Sequence, residues 1–251
     1  MSPLLSLRAV AKSYGAVEAL RGVDLDVHAG DVLALCGDNG AGKSSLVKIL
    51  SGAHAPSAGT IEIEGAPARF ASPHDALDRG IATIYQELAV APRLSVAENV
   101  FLGSELTRAP LGLKFLSVLD KKRMRADALG FLKRLGIDLG DATRPVERLS
   151  GGQRQAVAIA RALRWNARVV IMDEPTAALG VAETALVLDL IRRLKAEGRT
   201  VILVSHNMAD VAAVATRVAI LKGGRKVVDR PAAGLDPAAL AQMIVTGRDA
   251  N

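Results

Sequence analysis

The chain has 251 residues, with 32 Lys and Arg against 26 Asp and Glu, a formal charge of +6 and a single cysteine. Half of its residues are hydrophobic and 23% are charged, which excludes a disordered tail, and one cysteine excludes a disulfide framework or a Cys-rich zinc site. Aromatics make up 3%, too few for a nucleic-acid stacking surface, while the positive balance leaves room for a nucleotide or another anionic partner.

From the N-terminus, no basic region followed by a long apolar stretch reads as a signal peptide. No apolar run reaches the roughly 18 residues needed to span a bilayer. The expectation is a cytosolic protein that serves a membrane only through a partner. LLSLRAV, LRGVDLDVHAG and DVLALC read as strands joined by turns at Gly15, Gly22 and Gly30. The run 31–36 ends at Gly37, and SSLVKILSG follows with helical spacing. Residues 59–70 read as a strand pair turning at Glu64–Gly65, and IATIYQ (81–86) as a buried strand.

From about 95 to 165 the pattern turns helical. Ser95 and Glu98 have capping-box spacing, and DKKRMRADALGFLKRLGI carries apolar residues on one helical face. The KKRMR run within it reads as a solvated face. RVVIMDE (168–174) and TVILVSH (200–206) are apolar strands ending in polar residues, with a helix between them that stops at Gly198. RVAILKGGRKVVD reads as a hairpin around Gly223–Gly224. Continuous apolar strands alternating with helices indicate α/β architecture with a parallel sheet covered on both faces.

Three motifs carry chemistry. Gly37-Asp38-Asn39-Gly40-Ala41-Gly42-Lys43-Ser44 matches G-x-x-x-x-G-K-[ST] between a strand and a helix. Its glycines let backbone N–H groups wrap phosphate oxygens, Lys43 supplies charge for the β- and γ-phosphates, and the Ser44 hydroxyl is a Mg²⁺ ligand. In RVVIMDE, Asp173 falls at a strand end, where a carboxylate holds Mg²⁺ directly or through water. Glu174 follows, placed to orient or deprotonate a water attacking the γ-phosphate. The third motif is Leu149-Ser150-Gly151-Gly152-Gln153, a second anion site at a helix start. Cys36 reads as a small buried hydrophobe.

LSGGQ with a P-loop upstream and VVIMDEP downstream resembles the ABC-type ATPases. The resemblance covers nearly the whole chain. It implies a P-loop NTPase fold with a RecA-like core, an antiparallel β subdomain and an α-helical subdomain. It implies ATP and Mg²⁺ as cofactors, and a head-to-tail dimer in which Ser150, Gly151, Gly152 and Gln153 close over the ATP of the opposite subunit. Tyr14 matches the aromatic that stacks on adenine. Gln86 matches the residue that touches Mg²⁺ and the attacking water and senses the membrane partner. His206 matches the switch histidine that contacts the γ-phosphate, and Ser45 completes the phosphate loop. His28, His54 and His74 receive no role.

Lys43 and Ser150 are about a hundred residues apart, room for a small helical subdomain, as in transporters rather than DNA-repair members. IYQELAVAPRLSVAENVFLG, DEPTAALGVAET and VSHNMADV resemble the bacterial monosaccharide importers in their single-cassette form. One cassette over 1–247 is expected: core and β subdomain at about 1–88 and 162–247, helical subdomain at about 89–161, no C-terminal regulatory domain. The partners implied are transmembrane permease subunits, a second ATPase subunit and, indirectly, a periplasmic sugar-binding protein. No nucleic acid is expected, and the location implied is the cytoplasmic face of the inner membrane. A cassette of another transport class, or a soluble ABC ATPase acting on ribosomes or DNA, stands as the alternative. One departure from the family pattern is Ala177-Ala178-Leu179-Gly180, where SALD is usual and its Asp contacts the opposite subunit. The missing carboxylate puts the coupling of the two ATP sites in doubt.

Overall fold

The computed structural model describes residues 2–108 and 117–249. The chain divides into two compact units. The first comprises Met1–Gln86, Ala167–Ala177 and Ile191–Asn251; the second comprises Glu87–Asn166 and Ala178–Leu190.

The first unit contains two sheets. β1 (Leu5–Tyr14), β2 (Val17–Val27), β4 (Ala58–Ile63) and β5 (Ala66–Ala68) form an antiparallel sheet in the order β2-β1-β4-β5. The other has the order β12-β11-β3-β10-β9-β6, built from β3 (Val32–Cys36), β6 (Ile81–Ile84), β9 (Val169–Asp173), β10 (Thr200–Val204), β11 (Arg217–Lys222) and β12 (Arg225–Pro231). Its strands pair in parallel except for the terminal β11–β12 hairpin. Both hairpin turns read from the sequence are present. Glu64–Gly65 and Gly223–Gly224 all have positive φ, the geometry whose twist matches that of the strands it joins.

Alternation along these strands explains their unbroken apolar runs. Leu33 and Leu35 of β3 enter one core with Ile202, Val204, Ala219 and Leu221, against Leu46, Val47, Ile49 and Leu50 of α1 (Lys43–Leu50). Ala34 and Cys36 face the opposite way, into a second core with Val218, Ile220, Val211 of α7 (Met208–Val214) and Leu240 and Met243 of α8 (Pro237–Thr246). A strand buried on both faces has no position for a polar residue.

The second unit is mainly helical: α3 (Val96–Val100), α4 (Lys121–Arg134), α5 (Gly151–Arg164) and the first part of α6 (Val181–Ala196). The Ser95–Glu98 capping box forms as its spacing indicates, with Glu98 N–H donating to Ser95 Oγ at 3.2 Å and Ser95 N–H to Glu98 Oε2 at 3.0 Å. In α4, Met124 is buried while the other four residues of KKRMR are exposed.

Two expectations are corrected. Gly22 is not a turn but lies inside β2, at φ +75°. The register there steps from Val10↔Val23 to Lys12↔Leu20, so β2 carries one extra residue. Gly supplies the left-handed residue that such a bulge favours, which locally looks like a turn. The 95–165 stretch is also not wholly helical, since β7 (Thr107–Arg108) pairs with β8 (Val118–Leu119). Residues 109–116, between them, lie outside those described. A short helix the sequence reading passed over, α2 (Pro73–Asp78), is capped by Ser72.

Leu35 is fully buried in the first core. Leu35→Ala is expected to cost about 2–5 kcal/mol, read as a lower urea midpoint with an unchanged slope.

Candidate nucleotide-binding site

The phosphate loop runs from the end of β3 to the start of α1. Gly37, at φ +146°, passes so close to β11 that a Cβ there would lie 2.2 Å from the Leu221 carbonyl oxygen. Gly42, at φ +108°, is the N-cap of α1, and its Cβ would lie 2.7 Å from both the Ala19 oxygen and Leu20 Cδ2. A side chain at either point would have to displace backbone. The loop is braced from below by the β11–β12 turn, where Gly224 N–H donates to the Ala41 oxygen at 3.1 Å and Arg21 N–H to the Gly224 oxygen at 2.8 Å. Nothing local in the sequence signals that brace. Lys43 Nζ donates to the carbonyl oxygens of Gly37 (2.6 Å) and Asp38 (2.9 Å). Two of its three donors hold the loop, and one is left for a ligand.

A cleft of about 540 Å³ opens over the loop. It is lined by Tyr14, Val17, Glu18, Ala19, Asn39, Gly40, Gly42, Lys43, Ser44, Ser45, Gln86, Asp173, Glu174, Val204 and His206. This is within the range for small-ligand sites. Gly37, Asp38 and Ala41 complete the loop itself. Tyr14 is 40% exposed, and its hydroxyl lies 2.7 Å from His54 Nδ1. Lys12 Nζ is 5.2 Å from the Tyr14 ring centroid. His54 thus anchors a ring at the cleft rim from 40 residues away. Sequence reasoning missed it because the contact is long-range and carries no motif.

Asp173 ends β9 and is partly buried. Burial raises its pKa, the neighbouring charge of Glu174 adds to that, and Lys43 and Lys48 oppose it. Glu174 has φ +51°, a left-handed conformation that strains a residue bearing a Cβ. It is held there by Glu174 N–H donating to the Val204 oxygen at 2.9 Å and Ala177 N–H to the Glu174 oxygen at 3.1 Å. Its side chain is engaged by His206, whose Nδ1 lies 2.7 Å from Glu174 Oε2. Thr176 Oγ1 donates to the buried carboxylate of Asp210 at 2.7 Å. The segments after β9 and β10 are therefore linked twice. Cys36, just before the loop, is fully buried, which pushes its thiol up to about 12. It acts as a hydrophobe.

Ser150, Gly151, Gly152 and Gln153 belong to the helical unit. Ser150 is the N-cap of α5. Gln153 N–H donates to Ser150 Oγ at 3.3 Å, and Ser150 N–H to Gln153 Oε1 at 3.1 Å. The first and last residues of S-G-G-Q therefore form a capping box at a 14-residue helix.

At Gly40 the loop is open, with nothing within 4 Å of where a β-carbon would lie, and the loop ends at a helix N-terminus, as a polyphosphate requires. The cleft's donors to a cation are oxygens of Ser44, Asp173 and Gln86, a set suited to Mg²⁺. Among the described residues there is no group of three or more His, Cys, Asp and Glu side chains arranged to hold a metal by themselves. Fold and site together define a P-loop nucleoside-triphosphatase.

Comparison with known proteins narrows the class. The ABC transporter family model matches residues 20–177, and the chain belongs to that family and carries its ATP-binding, ATP-hydrolysing cassette. It is 47% identical over 226 residues to the fructose import ATP-binding protein of Rhizobium meliloti, covering 90% of this chain and 87% of that protein. It is 45% identical over 243 residues to a ribose import ATP-binding protein of Yersinia pestis, covering 97% of this chain and 46% of that one. Among solved structures, a dimeric ATP-binding cassette bound to ADP and Pi in a post-hydrolysis state has a TM-score of 0.74. It is 28% identical and covers 92% of this chain and all of the other.

Because Asp173 has a raised pKa in the folded state, its ionised form weakens the fold. The penalty is absent below the ordinary carboxylate range and grows as pH rises through the raised value. Without nucleotide or divalent cation, Asp173→Asn is expected to have a higher Tm than the parent at pH 7.5. The gap should shrink toward zero on acidification to pH 4.

Proposed function

We propose that the chain is the ATP-hydrolysing subunit of a monosaccharide ABC importer, working at the cytoplasmic face of a membrane through permease subunits. The observation that carries the reading is the 47% identity to a fructose import subunit over most of both chains. The ribose import relative supports the substrate class, and the dimeric solved cassette supports a pair of cassettes. No helix among the described residues is long and apolar enough to cross a membrane, so membrane coupling runs through a partner. We read residues 1–247 as one cassette that pairs head-to-tail with a second copy, with a periplasmic binding protein supplying the sugar.

In this scheme the loop amides, Lys43 and Ser45 hold the phosphates, and Tyr14, anchored by His54, stacks on the adenine. Ser44, Gln86 and Asp173 would hold Mg²⁺, which supplies charge neutralisation of the β- and γ-phosphates. Glu174 is the general base. One of its oxygens is engaged by His206 Nδ1, which leaves the other to take a proton from water. With Nδ1 committed, Nε2 is the His206 atom left to meet a phosphoryl oxygen. Ser150, Gly151, Gly152 and Gln153 close over the nucleotide of the other copy. Closure is a population shift that nucleotide drives and hydrolysis reverses.

Lys43→Ala is expected to weaken ATP binding at least ~10-fold, about 1.4 kcal/mol, by titration calorimetry; unchanged affinity would remove its role. Glu174→Gln is expected to lower hydrolysis ~10²–10⁴-fold and to run as an ATP-dependent dimer in size-exclusion chromatography. The importer reading is tested by uptake of labelled monosaccharides in a parent strain, a deletion, and a deletion carrying Lys43→Ala. Loss of one sugar's uptake, unrestored by Lys43→Ala, is the expected result. Normal entry of every sugar counts against the substrate class.

A further inference from the structure

The N-terminus of α5 is not free of anions. Gly151 N–H, the first amide of that helix, donates to Glu183 Oε1 at 2.8 Å, across 32 residues of sequence. The other oxygen, Glu183 Oε2, lies 3.4 Å from Gly180 N. Thr184 N–H donates to the Gly180 oxygen at 2.9 Å, so Gly180 caps α6 and Glu183 is its third helical residue. One carboxylate thus serves the first turns of two helices, the end of each dipole that favours negative charge.

Packing agrees. A Cβ on Gly151 would lie 2.5 Å from Leu179 Cδ2 and 3.2 and 3.3 Å from the two Glu183 oxygens, and one on Gly152 would lie 2.7 Å from Leu186 Cδ2. The two glycines are required by the 179–186 segment as well as by any ligand. Gly180, where a family carboxylate would face the opposite subunit, has open space around a Cβ, and its amide is fixed from within by Glu183.

We propose that Glu183 is a positioning residue for the phosphate-binding end of the signature helix. Its carboxylate ties the start of α5 to the Gly180 turn within one subunit, in place of a carboxylate at 180. The tie sets where the Ser150 hydroxyl lies. Ser150 Oγ accepts from Gln153 N–H, which leaves its own O–H to donate to a phosphate. The inference rests on the reading that Ser150–Gln153 meet the nucleotide of a second copy.

The test compares Glu183→Ala with Glu183→Gln, whose amide oxygen still accepts one N–H bond, in the full-length chain. Hydrogen exchange at the Gly151 amide reads the tie in the monomer, with no dependence on dimerisation. It is expected to quicken at least ~10-fold in Glu183→Ala and to stay near the parent rate in Glu183→Gln. In a Glu174→Gln background, Glu183→Ala is expected to weaken the ATP-dependent dimer ~10-fold, with binding of a fluorescent ATP analogue to the monomer unchanged and Glu183→Gln restoring most of the loss. Unchanged exchange in Glu183→Ala overturns the tie. A dimer of parental strength despite faster exchange overturns the positioning role. If Glu174→Gln alone stays monomeric in ATP, the paired-cassette reading fails, and the exchange result still decides whether Glu183 orders the helix start.

Discussion

The structure depends on one steric constraint: the turn out of β3 passes under β11 with no room for a side chain. At Gly37 the neighbouring carbonyl of Leu221 occupies the space of a Cβ, and at Gly42 the Ala19 oxygen and Leu20 do the same. The turn fixes the start of α1 over the end of β3, and its open amides face the cleft. Because β11 and β3 pair in parallel, Ala219↔Leu35 and Ile220↔Cys36, the register that buries the core also brings Leu221 against Gly37. Packing and phosphate-site geometry are set by the same strand alignment.

The polar residues of the cleft follow from where parallel strands end. β9 delivers Asp173, and β10, aligned with it by Val204↔Asp173, delivers His206 two residues later. Glu174 turns back against His206 in a left-handed conformation that backbone hydrogen bonds to Val204 and Ala177 hold in place. Asp173 is held in a partly buried site that disfavours its charge.

Motif-bearing segments were readable from the chain because each is a local event. A strand, a glycine loop and a helix follow one another within residues 32–50. The capping box at Ser95 joins residues three positions apart, and the Ser150 segment was legible as a helix start, although its own capping box emerged only in the structure. Gly22 failed as a turn signal because a glycine at positive φ serves a bulge as readily as a turn, and only the partner strand's register tells them apart. Tyr14 was legible only through the family resemblance, as the aromatic that stacks on adenine, and His54, whose ring lies against its hydroxyl, was not legible at all. The Thr176–Asp210 bond and the Gly151–Glu183 bond were equally invisible, since each joins ordinary residues more than 30 positions apart.

The sequence by itself determined the class of chemistry. Lysine and hydroxyl residues after a glycine loop, two acids at a strand end, and a Ser-Gly-Gly helix start are local patterns whose physics holds in any surroundings. It also determined the parallel sheet, because unbroken apolar runs have no other low-energy home. Tertiary structure alone decided which residues support the site: the β11–β12 turn beneath the phosphate loop, His54 behind Tyr14, His206 on Glu174, and Glu183 at the start of α5. Those contacts depend on register and on the meeting of distant segments, which no local pattern encodes.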